Sequence, residues 1–304
     1  MQTDRRALFA LFCGAVLIGF APIFVRLADV GYTAIAFWRT ALSLPVLLPL
    51  WLWTGPSIRA PARPEFREAE NRGTLLGTSG IGWLWLAGFF FAADLGTWHQ
   101  SIRFTSIANS TLLANLAPVF VTLGAFVLFR ERVAKRFILG LVIAIAGAAV
   151  LMSHSLRISR DSAFGDLLGM ITAMFYAGYL LGVSRLRQSR SAAEVMWWTS
   201  LACTVALWPL VLALGEPIWP QSLHGWLMLI GLALLSHVGG QGLIAYAVAH
   251  LPASFSAVSL LVQPVAATVF AGLLLGEHFG ATQAIGGAIV LGGIVTCRLA
   301  MAKR

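Results

Sequence analysis

The sequence predicts an all-α integral membrane fold: ten transmembrane helices in two inverted five-helix repeats, residues 1–153 and 154–304. Composition is the first reason. Hydrophobic residues make up 59% of the chain, charged residues 11%, and mean hydropathy is +0.83, whereas an ordinary globular domain carries about 25% charged residues. The second reason is a succession of ten apolar runs, each near the roughly 20 residues needed to cross a hydrocarbon core. The third is an internal repeat. Pro118 precedes Glu131 by 13 residues and Pro264 precedes Glu277 by the same interval, an offset of 146 that also pairs Gly140 with Gly286 and Gly147 with Gly293. Each half holds five spans, an odd number, so the second copy must enter the membrane upside down.

The first run, 7–27, follows Arg5 and Arg6 as a signal peptide would. Its apolar stretch outlasts the roughly 7–15 residues of a signal core and no small-residue cleavage site stands out, so it reads as a retained helix. Runs 33–53, 75–101, 106–129 and 136–153 complete the first half, and 163–183, 195–214, 226–249, 255–276 and 281–300 form the second. The first two spans of each half align at an offset of 159, which pairs Gly19 with Gly178, Arg26 with Arg185, Trp38 with Trp197 and Thr40 with Thr199. The 13 extra residues of the first half fall in the Pro- and Arg-rich 54–72 loop, the one long connection in the chain. Such a gap belongs to a duplication rather than to chance similarity.

Pro22, Pro118 and Pro264 sit inside spans, where each removes a backbone donor, so they read as kinks or hinges. Gly140, Ala144 and Ala148 on the fifth span and Ala284, Ala288 and Gly292 on the tenth read as small-residue ridges for close helix packing. Trp51, Trp53, Trp219 and Trp226 lie near span ends, where an interfacial belt accounts for them. Glu131 and Glu277 end their spans near the membrane surfaces and read as structural.

The formal charge of +9 is dispersed through short loops. It makes no nucleic-acid footprint, and its partner is the bilayer. With a cytoplasmic N-terminus, 16 basic residues fall on the cytoplasmic side, in the clusters near 5, 59–72, 130–136, 185–190 and 298–304. Four fall on the other side: Arg26, Arg103, Arg157 and Arg160. The positive-inside rule therefore places both termini in the cytoplasm of a plasma (inner) membrane. Cys13, Cys203 and Cys297 lie within apolar runs and imply neither disulfides nor a metal site.

Ionisable side chains within spans normally face protein or water. Asp94, Trp98 and His99 on the third span and His237 and Gln241 on the eighth therefore mark a candidate site, and these spans are repeat partners. On helical spacing Asp94 and Trp98 share one face, as do His237 and Gln241. Asn115, Tyr176 and Tyr179 join them as candidate walls. For each there is also a structural reading: an ion pair or cap for Asp94, interhelical hydrogen bonds for His237, Gln241 and Asn115, core packing for the tyrosines. Arg39 on the second span lies at about the depth of Asp94, which predicts a direct or water-bridged pair, with Asp29 as a rival partner. No HExxH, GxSxG or Walker loop is present. No enzyme, cofactor or metal site is expected.

The segment SIRFTSIANSTLLANLAPVFVTLGAFVLFRER (101–132) resembles the third-to-fourth helix region of EamA-type transporters in the drug/metabolite transporter superfamily. LPASFSAVSLLVQPVAATVFAGLLLGEHFG resembles the same family's ninth helix, and GFAPIFVRLA, AFWRTALSLP and FFAADLGTWHQSIR resemble its branch of YddG-type amino-acid exporters. The resemblance implies a central cavity lined by the first, third, fourth, sixth, eighth and ninth helices, with the fifth and tenth at the periphery. It implies an exporter of small metabolites, and with the residues above the chain reads as a secondary transporter of neutral or aromatic amino acids by alternating access, with a monomer as one possible working unit. Asp94 would then meet an ammonium, His237 and Gln241 a carboxylate, and Trp98 with its aromatic neighbours a side chain. A passive channel or a lipid-handling membrane protein is the alternative.

Overall fold

The computed structural model describes residues 4–54, 80–153, 162–276 and 280–302. Glu277 and the 54–72 loop beyond Thr54 lie outside them. Ten helices among the described residues are long and apolar enough to cross a membrane. They are α1 (Arg5–Leu27), α2 (Tyr32–Thr54), α3 (Gly80–Phe104), α4 (Asn109–Phe129) and α5 (Lys135–Met152), then α6 (Ala163–Leu186), α7 (Ala192–Leu214), α8 (Leu223–Ala247), α9 (Ala253–Leu275) and α10 (Ala281–Met301).

Four of these helices are interrupted near mid-length, all by one local rule. The second segments of α1, α2, α4 and α9 begin at Ala21, Leu44, Ala117 and Val262, with Pro22, Pro45, Pro118 and Pro264 as their second or third residue. Proline has no N–H for the carbonyl four residues earlier, and it is well tolerated in a first helical turn. The chain therefore restarts the helix instead of continuing it. Proline alone is not sufficient, since Pro49 and Pro209 lie within helical segments without ending them. A different irregularity occurs in α8, where Leu232–Gln241 is a wider π-helical stretch.

Packing follows the repeat. α3 packs on α6 as α8 packs on α1, and α4 packs on α6 as α9 packs on α1. The most extensive pairing joins α5 to α10. There a Cβ on Gly140 would stand 2.8 Å from the Gly293 carbonyl and one on Gly293 would stand 2.7 Å from the Gly140 carbonyl, so only glycine permits this approach. The α10 ridge differs from the expected one. Gly286, Val290, Gly293 and Cys297 are buried against α5, while Ala284, Ala288 and Gly292 are exposed. With two small-residue stripes available on one helix, the sequence alone does not say which of them meets the partner.

Candidate solute-binding cavity

The helix interruptions open a cavity of about 180 Å³ in the middle of the bundle. Ile18, Ala114 and Leu260, whose carbonyls lose their usual donors to Pro22, Pro118 and Pro264, are all on its wall. So are the three prolines themselves. The lining comes from α1, α2, α3, α4, α6, α8 and α9, and includes no residue of α5, α7 or α10. Peripheral α5 and α10 match expectation; α2 is an addition, through Ile35, Ala36 and Arg39.

Pro22, Val25, Ile35 and Trp98 also border a second space of about 460 Å³, which extends to the face carrying the α1–α2 and α7–α8 connections. In this vestibule Arg103 pairs with Glu216 at 3.6 Å, and Glu216 also accepts a 2.9 Å hydrogen bond from the Thr33 amide. On the opposite face, which carries the N-terminus, polar ties join the helix ends. Arg187, just beyond α6, donates from Nε to the Ala245 carbonyl of α8 at 2.8 Å and from Nη1 to the Arg190 carbonyl. Arg190 pairs with Glu194, and Glu131 accepts from the Ser254 amide at 3.5 Å. Burial pushes the Arg187 guanidinium down to about 10, only partly offset by Tyr246, so it stays ionised at neutral pH.

Two opposite charges face the cavity. Asp94, from α3, is 7% exposed and is the one acidic side chain on the wall. Arg39, from α2, stands with Cζ 5.8 Å from the centre of the Phe91 ring, and its Nε has no hydrogen-bond partner among the described residues. The two groups interact electrostatically. They do not come within the 4.0 Å of a direct ion pair. An acidic and a basic group thus share one cavity wall without direct contact, an arrangement suited to a dipolar solute.

Other polar groups on this wall are also unpaired. Among the described residues, Asn115, at the α4 break, has an amide nitrogen without an acceptor, and that of Gln263, beside the α9 break, has only a loose contact with the Tyr176 hydroxyl. His99 is 2% exposed, and its Nδ1 lies 2.7 Å from the Leu95 carbonyl. A carbonyl only accepts, so Nδ1 carries the proton and Nε2 turns a free lone pair to the interior in the neutral ring; that nitrogen has no partner. Tyr176 lies beside Gln241 and Gln263, and Trp98 is packed edge-on against His99 with ring centres 4.9 Å apart.

Of the residues singled out in the sequence, the structure brings Asp94, Trp98, His99, Asn115, Tyr176 and Gln241 onto one wall with Arg39. Two candidates need correction, because Tyr179 and His237 do not line it. Both stack on Phe91, at 4.5 Å and 5.5 Å between ring centres, and Phe91 covers them from the cavity side. His237 Nε2 instead shares a 2.8 Å hydrogen bond with Ser200 of α7. The assumption of one shared face for His237 and Gln241 rests on α-helical spacing. Their segment is π-helical, with i→i+5 bonding, where residues four apart still share a side; the Phe91 ring and the Ser200 bond, not the spacing, hold His237 away from the cavity. Gln263 was missed, although it is the only amide in the apolar run of the ninth span.

Comparison with known proteins settles the family. The profile of the EamA-like transporter family matches residues 5–153 and again residues 163–298. The chain belongs to this family. Its relatives include an uncharacterized transporter of Archaeoglobus fulgidus, 25% identical over 94% of each chain. The pseudopaline exporter of Pseudomonas aeruginosa is 23% identical over 75% of this chain and 78% of its own. A probable terminal-alkyne amino-acid exporter of Streptantibioticus cattleyicolor is 30% identical over 62% of each. A solved protein structure superimposes with a TM-score of 0.78 over 98% of both chains at 17% identity, a likeness of fold. The protein is thus a multi-pass membrane transporter of the EamA-like family.

Proposed function

We propose that this transporter exports small zwitterionic metabolites of the amino-acid type by alternating access. The observation that carries the reading is the placement of Arg39 and Asp94, not in direct contact, on the wall of one cavity. An α-amino acid brings a carboxylate for the guanidinium and an ammonium for the carboxylate, and each charge-assisted hydrogen bond so made contributes about 1.5–3 kcal/mol. Trp98, Phe91 and Tyr176 supply apolar wall for a side chain. The carboxylate role therefore moves from His237, expected from the sequence, to Arg39. Among the relatives, one is named as a probable amino-acid exporter and one as a pseudopaline exporter, which supports export of this chemistry.

The two profile matches and the exchanged packing partners support two halves related by an in-plane rotation, the arrangement on which alternating access is commonly built. With both termini cytoplasmic, the vestibule opens to the outside and the Arg187 ties close the inside. The test is counterflow in proteoliposomes with labelled neutral and aromatic amino acids, with and without a pH gradient. Saturable, stereoselective exchange is expected. Flux that neither saturates nor distinguishes enantiomers refutes the reading.

A further inference from the structure

A buried hydrogen-bond donor without a partner costs free energy in the empty protein. Three stand on this cavity wall without a well-formed hydrogen bond among the described residues: Arg39 Nε, Asn115 Nδ2 and Gln263 Nε2, the last with the Tyr176 hydroxyl as a loose neighbour. All are donors. They come from three helices and from both halves of the chain, Arg39 and Asn115 from the first and Gln263 from the second. The amides stand at two of the four Pro-initiated breaks, those of the repeat partners α4 and α9: Asn115 three residues before Pro118 and Gln263 immediately before Pro264.

We infer that Asn115 and Gln263, together with Arg39, form a carboxylate clamp through which the bound solute links the two halves of the transporter at their helix breaks. This inference rests on the amino-acid reading above and assigns specificity to two further residues. An ionised carboxylate has two oxygens and about four lone-pair sites, enough to take one hydrogen bond from each of the three donors. A carboxamide offers one oxygen and two donors of its own, which face the donors of the clamp. An amine without an acid group offers no acceptor. The clamp therefore selects for an ionised acid group. Because Asn115 and Gln263 belong to different halves, only a solute carrying that group pulls both broken helices together.

The test compares L-phenylalanine, L-phenylalaninamide and phenethylamine as counterflow solutes with the full-length protein in proteoliposomes. Wild-type protein is expected to favour the acid at least about ten-fold in kcat/KM over the other two. Asn115→Leu and Gln263→Leu are each expected to lower kcat/KM for the acid by about ten- to hundred-fold, as loss of a hydrogen bond to a charged group implies. The loss should be smaller for the amide, whose single oxygen takes fewer of these bonds, and smallest for the amine, so that the preference for the acid falls. Because each substitution removes an unsatisfied donor, thermal stability of the solute-free variants should equal or exceed that of wild type, and Asn115→Asp should lose the acid without loss of fold. Variants that keep the full preference for the acid, lower all three solutes equally, or lose stability without solute overturn the clamp alone. Wild-type protein that counterflows no α-amino acid overturns the reading on which it rests.

Discussion

Asp94→Asn removes one charge from the cavity while nearly preserving shape, and its effects on solute and protein separate cleanly. For the solute, losing a charge-assisted hydrogen bond of about 1.5–3 kcal/mol, at 1.4 kcal/mol per factor of ten, raises KM by about ten- to hundred-fold. For the protein, Arg39 loses the only anion that shares its wall. With an effective dielectric near 20, two unit charges attract by about 4 kcal/mol at 4 Å and about 2 kcal/mol at twice that distance. Arg39 and Asp94 do not reach ion-pair contact, so the smaller figure, about 2 kcal/mol, is the stability expected to be lost. The double variant Arg39→Gln with Asp94→Asn leaves no isolated charge and should recover most of that stability while remaining inactive. Thermal unfolding of detergent-purified protein and proteoliposome counterflow measure the two effects. An Asp94→Asn protein with unchanged KM, or a double variant no more stable than Asp94→Asn, refutes the reasoning.

Other outcomes test the surrounding structure. His237→Asn should lower thermal stability by about 1 kcal/mol through the lost Ser200 hydrogen bond and leave KM within about two-fold; a change in solute preference would return His237 to the site. Arg187→Ala breaks the tie to the Ala245 carbonyl and should increase modification of cysteines introduced into the cavity from the N-terminal face, whereas unchanged labelling would show that the tie does not hold that face shut. Gly293→Leu should abolish folded protein because the Gly140 carbonyl already occupies the space, while Gly292→Leu, with nothing near its Cβ direction, should fold normally. Equal yields would contradict the α5–α10 contact. Cysteines at Ser189 and Ser222, both exposed and on opposite faces, should label from the cytoplasmic and the outer side respectively; reversed labelling would invert the topology.

The ten spans were legible because hydrophobic length is a one-dimensional property, and the breaks in α1 and α4 because a proline within a span removes a named hydrogen bond. Asp94 and Trp98 were legible for a related reason: α3 is a continuous helix, so residues four apart share a side. His237 is held away from the cavity by the Phe91 ring of α3 and the Ser200 hydroxyl of α7, contacts that spacing within its own helix does not contain. Arg39 was expected as a structural partner for Asp94. That the two share a cavity wall without direct contact depends on packing among several helices, which no local pattern contains. The α10 contact face was misread for the same reason: Ala284, Ala288 and Gly292 are as small as the residues that make the contact, and only the partner helix distinguishes them.

The stack of Phe91 on His237 has a bearing on how such a chain diverges after duplication. At the 146 offset these two positions correspond, and in the folded protein they face each other 5.5 Å apart. A position that touches its own counterpart cannot change in one copy without altering the surroundings of the other. Two histidines here would bury a second imidazole that needs its own hydrogen-bond partner, and two phenylalanines would leave the Ser200 hydroxyl without His237. The observed pair is heterologous, apolar toward the cavity and polar toward α7. Away from such a contact each half can drift independently; at this one, the two copies share a single fitness surface, and their asymmetry is a joint property of both.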